Sequence, residues 1–331
     1  MTSVGIIANP AAGKDIRRLV AQGRFVPNQE KVNILKRILA GLDAVGVERV
    51  LMMPDMARLG NGALDGGKYR LNVEFVDMIV FNAERDSVRA AGAMSEMGVG
   101  SIITLGGDGT NQAVAKGCGD VPLVPVSTGT NNVFPVMAEG TLAGLAAGLT
   151  ALGLVDTEET IARSKRMEVY LDGDLRDIAL VDVAISRERF VGARAIWDMS
   201  TVDELYLTRA EPSSIGLSAI GAQLMPVTLK DARGLHIQLG EGGESVAAPV
   251  APGMIIPVGI KRWEVMEFGQ RIDVELRPCT VAIDGERAFT LMPGQEAHVE
   301  LSREGPRVVL IEETLRAAAI GGVFRTSAVL E

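Results

Sequence analysis

The chain predicts an α/β region built on a parallel sheet, followed by a β-rich antiparallel region. Three observations carry this expectation. The first half alternates short apolar runs with amphipathic stretches, the β-α-β-α rhythm of a parallel sheet flanked by helices on both faces. The second half changes to short, often alternating segments punctuated by Gly, Pro and Asp, the pattern of an antiparallel sandwich. The 331 residues include 38 glycines, where roughly 7% usage would supply about 23. The excess implies many tight turns and close backbone approaches.

The elements follow in order. Residues 4–8 form an apolar strand ended by Asn9-Pro10. Residues 29–45 place Val32, Leu35, Ile38, Leu39 and Leu42 on one helical face. Residues 47–53 form a strand stopped by Pro54, and residues 71–80 a strand carrying Val73, Phe75 and Ile79. A helix is expected over 86–97, a buried strand over 101–105, a helix over 110–116, and a strand over 121–126 whose prolines suit its ends. Residues 140–155 read as a buried helix, too short to span a bilayer. The charged stretch 156–166 is the natural boundary. Beyond it, residues 165–171, 178–186, 204–208, 234–239, 254–260, 271–276, 280–283 and 297–301 read as strands, and 312–320 as a closing helix. The expected division is an α/β domain over 1–155, a β-sandwich domain over 156–305, and a C-terminal segment, 306–331, returning to the first domain.

Lys and Arg number 33 against 42 Asp and Glu, a net charge of −9. That excludes the basic face a nucleic-acid partner needs and opposes docking on an anionic membrane. Hydrophobic content of 47% assures a core. Cys118 and Cys279 stand far apart, so no disulfide framework exists and a reducing cytoplasm is expected. His236 and His298 cannot build a zinc site alone. The opening residues lack a basic leader and read as a strand, so no signal peptide is expected.

The sharpest local feature is Ser101-Ile-Ile-Thr-Leu-Gly106-Gly107-Asp108-Gly109-Thr110-Asn111. A strand runs into glycines whose amides can approach an anion, and a helix N-terminus follows. A carboxylate at Asp108 would repel phosphate unless a divalent cation or a substrate hydroxyl lies between them, and both options mean phosphoryl transfer. A plain strand-to-helix turn capped by Asp108 is the competing reading. The Walker pattern fails because Asp15 follows Gly13-Lys14, and the dinucleotide pattern fails because Gln112 stands where glycine is required. Two further polar loops follow predicted strands, one around Asn9, Gly13 and Lys14, the other Thr128-Gly129-Thr130-Asn131-Asn132. Three such loops on one edge of a parallel sheet make a cleft. Asp284-Gly285 is a strong hairpin signal in its own right.

These residues resemble the ATP-NAD kinase and diacylglycerol kinase superfamily. Gly106-Gly-Asp-Gly-Thr110 looks like its hallmark loop. Asn9-Pro-Ala-Ala-Gly13, Gly129-Thr-Asn-Asn-Val-Phe134 and Asp284-Gly-Glu286 resemble three further family loops, in family order across nearly the whole chain. The nearest subgroup is the acetoin-catabolism protein X type of ATP-NAD kinase-like proteins, through residues 9–19 and 127–134. The resemblance implies that ATP and Mg²⁺ bind over Asn9, Gly13, Lys14, Gly106, Gly107, Gly109, Thr110, Asn111, Thr128, Gly129, Thr130, Asn131 and Asn132, with Asp108 on the metal. It implies an acceptor alcohol, NAD or another small molecule, near Asp182, Ser213, Ser214 and Glu286. Either Asp108 or Asp284 would be the general base. A homo-oligomer assembled through the β-rich region is also implied.

Three departures stand out. Val181 replaces the Asn that contacts NAD in NAD kinases, residues 212–216 are shortened and lack a Tyr, and Val133 replaces the Asp of the lipid-kinase loop. They keep two alternatives in view: a lipid kinase of the diacylglycerol type, and a non-catalytic nucleotide-binding accessory protein.

Overall fold

The computed structural model describes residues 1–13, 26–129, 131–188 and 198–325. The first half runs β1 (Ser3–Ala8), α1 (Asn28–Ala44), β2 (Arg49–Met52), α2 (Leu59–Leu64), β3 (Asn72–Phe75), α3 (Glu84–Glu96), β4 (Ser101–Gly106), α4 (Asp108–Ala115), β5 (Leu123–Ser127) and α5 (Gly140–Ala151). A short helix α6 (Thr157–Thr160) and β6 (Ile161–Arg163) follow. The second half holds β7 (Arg166–Leu171), β8 (Asp174–Ala179), β9 (Asp182–Ser186), β10 (Val202–Leu207), α7 (Leu217–Ala222), β11 (Gly234–Ala251), β12 (Met254–Met266), β13 (Arg271–Asp273), β14 (Cys279–Ile283), β15 (Glu286–Leu291), β16 (Ala297–Ser302), β17 (Arg307–Val309) and α8 (Ile311–Ile320).

The first sheet has the order β3-β2-β1-β4-β5-β17-β6, parallel except for β6. Its central strands β1 and β4 are buried at every residue, as strands covered on both faces must be. One face packs α1 and α5 through Leu35, Ile38, Leu42, Ala143 and Ala147. The other packs α3 and α4 through Ala90, Met94 and Val114. Part of the glycine excess is spent between α1 and α5. A Cβ on Gly144 would stand 2.3 Å from the Ile38 carbonyl oxygen, so these helices approach with no side chain between them.

The second region is a sandwich. A six-stranded antiparallel sheet, β12-β11-β10-β9-β14-β15, faces a four-stranded one, β13-β16-β7-β8. Met167, Val169, Val183, Ile185, Val281 and Val299 fill the space between them. α7 covers the outer face of the larger sheet through Leu217 and Ile220.

Several element boundaries differ from expectation, each for a physical reason. Residues 71–80 supply only the four-residue β3, because its neighbour β2 ends at Met52 and no ladder partner remains beyond Phe75. α4 begins at Asp108, not Thr110. Pro125 sits mid-strand in β5, yet costs no ladder bond there. Its carbonyl accepts from Val136, so its missing N–H faces the side where β17, paired only at Leu123, has already ended. Residues 178–186 break into β8 and β9, because the Leu180 and Val181 amides turn toward Asp284. The glycines at 240–243 are a bulge, not a turn, so β11 runs through them. β17 brings residues 307–309 into the first sheet beside β5. Among the described residues no helix is long and apolar enough to cross a membrane.

Candidate active site

A cavity of about 1070 Å³ opens at the C-terminal ends of the parallel strands, the edge where open α/β sheets hold ligands. One wall is the loops that follow β1, β2, β3 and β4, with Asn132 beyond β5. The other wall is Asp177 from β8 and the β14–β15 hairpin, with Asp284 and Glu286.

The first loop is shaped from below by Lys31. This residue of α1 is fully buried, and its ammonium donates to the carbonyls of Asn9, Pro10 and Ala12 at 2.9–3.1 Å. Turning those carbonyls inward leaves the loop's other face to the cavity. Asn9 accepts from the Ala11 amide and donates to the Thr110 hydroxyl at 2.9 Å, so it ties this loop to the Gly-Gly-Asp loop. Gly13 adopts φ +75°, where a side chain is strained.

In the second loop the glycines do different jobs. A Cβ on Gly106 would lie 2.5 Å from the Thr110 hydroxyl, and one on Gly107 would lie 2.9 Å from Asn132 Oδ1. At both positions a side chain would collide with the loop's own packing. A Cβ on Gly109 would meet nothing within 4 Å, so that position is open to a ligand. Asp108, half-buried at the start of α4, accepts from the Val133 and Phe134 amides at 2.8–3.1 Å. It thereby joins the second loop to the third.

Asp284 occupies a two-residue turn in which both residues, at φ +48° and Gly285 at +74°, are left-handed, the geometry of a tight hairpin. The hairpin expected at Asp284-Gly285 is present, and it places Asp284 on the cavity wall. Its carboxylate is 6% exposed and accepts from the amides of Leu180, Val181 and Asp182 at 2.8–3.2 Å. Burial pushes its carboxyl well above the usual range, helped by the nearby charges of Asp182 and Asp108 and opposed by the Leu180 and Val181 amides.

Of the expected site residues, Asn9, Gly13, Gly107, Asp108, Gly109, Thr110, Asn132, Asp284 and Glu286 line the cavity. Others stand behind it. Asn111 is fully buried, accepting from the Thr104 hydroxyl and donating to the Gly107 carbonyl; it braces the loop from behind the wall. Gly106, Thr128, Gly129 and Asn131 are not on the wall. The third loop is folded around Ser127, whose hydroxyl donates to the Gly129 carbonyl and accepts from the Asn132 amide. Asp182 accepts from the Gly285 amide at 3.1 Å and so supports the hairpin from behind. Ser214 is buried in a turn, donating to the Glu211 carbonyl, and Ser213 is exposed elsewhere. Lys14 and Thr130 lie outside the described residues.

The cavity also contains residues that the sequence did not single out. Among them Gln112 donates to Asp177 and to the Ile178 carbonyl, and behind the wall Lys116 bridges two lining carboxylates, Glu84 and Asp177, at 2.9 and 2.8 Å. Burial opposes the Lys116 ammonium, yet its bonds to Asp177 and Glu84 hold its pKa above the ordinary value. This latch joins the α/β region to the sandwich. Asp55 caps α2 at the Leu59 amide, and burial raises its carboxyl against that bond. Acidic side chains predominate on the described walls, from Asp55 and Glu84 to Asp177, Asp284 and Glu286. Arg85 stands at the rim over the Phe81 ring. Val181, at the position of the NAD-contacting Asn, is fully buried against Phe134 and Val308 and faces no cavity.

Among the described residues no group of three or more His, Cys, Asp or Glu side chains is placed to hold a metal. A closed protein cage is therefore absent there. Asp108 puts a carboxylate on the cavity wall at the start of α4, the donor type of the other mode: one or two carboxylates, with substrate phosphates completing the shell of a Mg²⁺ ion.

Comparison with known proteins gives the lineage. Residues 4–153 match the ATP-NAD kinase N-terminal domain, and residues 165–304 match the acetoin catabolism protein X C-terminal domain. Acetoin catabolism protein X of Cupriavidus necator is 42% identical over 98% of this chain and 94% of its own length. The chain belongs to the acetoin catabolism protein X family. Its first region is ATP-NAD kinase-like. An NAD kinase of Methanosarcina barkeri is 23% identical over 67% of this chain and 77% of its own. A solved structure from Bacillus anthracis str. Sterne, provisionally assigned as a diacylglycerol kinase, is 14% identical with a TM-score of 0.47, covering 93% of this chain and 97% of its own.

Proposed function

We propose that this chain is an ATP-dependent phosphotransferase that moves a phosphoryl group onto the hydroxyl of a small acceptor, NAD or another small alcohol. One observation carries the reading: the Gly107–Thr110 turn at the start of α4 and the Asp284 hairpin face a single cavity from opposite sides.

The ATP phosphates would lie over Gly109 and the α4 N-terminus, whose free amides and positive dipole end favour anions. Mg²⁺, held by Asp108 together with phosphate oxygens, would offset charge that the acidic walls do not. The acceptor hydroxyl would lie on the hairpin side. Asp284, with its carboxyl raised toward neutrality by burial, is suited to accept the hydroxyl proton as the oxygen attacks. Glu286, exposed on the same wall, would bind the acceptor.

A second reading has its own support. Both carboxylates are occupied by backbone amides, as they would be in a nucleotide-binding accessory protein that performs no chemistry. Labelled ATP with Mg²⁺, offered to a panel containing NAD, NADH, small alcohols and vesicles carrying diacylglycerol, separates the two. Transfer to at least one soluble acceptor, abolished in Asp284→Asn, is the expected result. ATP binding by calorimetry with no labelled product would favour the accessory protein, and transfer confined to vesicles would favour a lipid kinase.

A further inference from the structure

Arg209, just beyond β10, sits where the two carboxylate-bearing loops meet. Its side chain is 6% exposed. Nη1 donates to the Val133 carbonyl at 3.2 Å, and the guanidinium carbon lies 4.9 Å from the centre of the Phe134 ring. Val133 and Phe134 are the residues whose amides hold Asp108.

The neighbouring residue faces the other way. The Thr208 amide donates to the Val181 carbonyl at 2.9 Å, and its hydroxyl to the Leu180 carbonyl at 2.6 Å. The amides of Leu180 and Val181 hold Asp284. A path of hydrogen bonds and the peptide units between them therefore runs from one carboxylate to the other, crossing from the sandwich to the α/β region at the Arg209–Val133 bond.

The arginine is poorly placed for stability alone. Nη2 is buried and has no partner among the described residues. The Glu211 carboxylate is 4.0 Å from Nη1, beyond hydrogen-bond range. Burial works against the charge, while Glu211, Asp108 and Asp284 favour it. An apolar side chain of the same length would pack on Phe134 without an unpaired donor, losing one bond to the Val133 carbonyl.

We propose that Arg209 is a positioning residue, which on the phosphotransferase reading fixes the Asp108 loop against the Asp284 loop so that donor and acceptor meet in line. It acts through residues 133–134 and 180–181, not on the reacting atoms.

Arg209→Met keeps the length and removes the charge and the fork; Arg209→Lys keeps the charge. The first readout needs no reaction. Amide hydrogen exchange should rise about ten-fold or more at Val133 and Phe134, and also at Leu180 and Val181, in the Met variant, and less in the Lys variant. The second uses whichever acceptor is phosphorylated. The Met variant should lose about 100-fold in kcat with KM for ATP within about two-fold, and the Lys variant should recover about ten-fold of that loss. Exchange that rises at 133–134 only, or nowhere, overturns the proposal. So does a Lys variant no better than Met, or an unchanged kcat. If no acceptor is ever phosphorylated, the kinase reading fails while the exchange result still judges the coupling. Should Arg209→Met not fold, Arg209→Gln, which keeps a donor for the Val133 carbonyl without the charge, takes its place in both readouts.

Discussion

Asp108 stands at the first turn of α4, directly behind a strand of the parallel sheet. Asp284 stands in the two-residue turn of an antiparallel hairpin. Each carboxylate accepts amides from a segment distant in sequence, residues 133–134 for the first and 180–182 for the second. The difference lies in their surroundings. Asp108 is half-buried at a helix N-terminus, where the dipole favours its charge. Asp284 is buried, and its ionisation is opposed by that burial and by Asp182. One residue type is thus suited to two roles by environment alone: a carboxylate beside phosphate, and a carboxyl that burial makes more basic.

The contrast can be broken or sharpened by four measurements. The largest effect belongs to Asp284→Ala, which leaves three buried amides unpaired and should cost about 3 kcal/mol in urea unfolding. Asp108→Ala should cost about half as much, roughly 1.5 kcal/mol, because water can reach the Val133 and Phe134 amides. Equal costs would mean that the two loops are equally closed to water and would remove the contrast.

The third measurement uses pH. Because the Asp284 carboxyl is raised, the folded state binds its proton more tightly than the unfolded chain. The resulting stability is full below the ordinary value of 3.8 and is lost as pH rises through the folded value. Wild-type Tm should therefore fall, relative to Asp284→Asn, as pH is raised from about 5 to about 8. Parallel curves for the two proteins would contradict the buried, disfavoured charge.

The smallest stability effect belongs to Gly109→Ala. Nothing stands within 4 Å of the added carbon, so stability should change by no more than about 0.5 kcal/mol. ATP affinity, measured by calorimetry, should fall about ten-fold if phosphate approaches on the Asp108 side. Unchanged affinity would move the nucleotide away from α4.

Much of the site was legible because its signals are local. The glycine-bearing loops follow strands whose apolar runs are short and bounded, and Asp284-Gly285 announces its own turn. Lys31 was legible in principle: it shares a helical face with Leu35, Ile38 and Leu42, and a lysine on an apolar stripe signals a buried cation with a fixed partner. Arg209 gave no such signal, since its partner Val133 lies far away in the chain. Asn111 misled, because an amide beside a glycine loop can turn inward to Thr104 as readily as outward. The 240–243 bulge misled for the same reason: glycine marks a departure from regular backbone without saying which kind.

Periodicity, turn chemistry and composition are properties of neighbouring residues. They were enough to anticipate most of the long elements, the change from parallel to antiparallel sheet, and the glycine-bearing loops. The tertiary structure alone decided which loop residues face the cavity, how Lys116 and Arg209 join the two regions, and that residues 307–309 pair as a strand between β5 and β6. It also set the opposite ionisation environments of two aspartates that look alike in sequence. Burial, opposed charges and hydrogen-bond partners are summed over atoms brought together from distant parts of the chain, and no local pattern contains that sum.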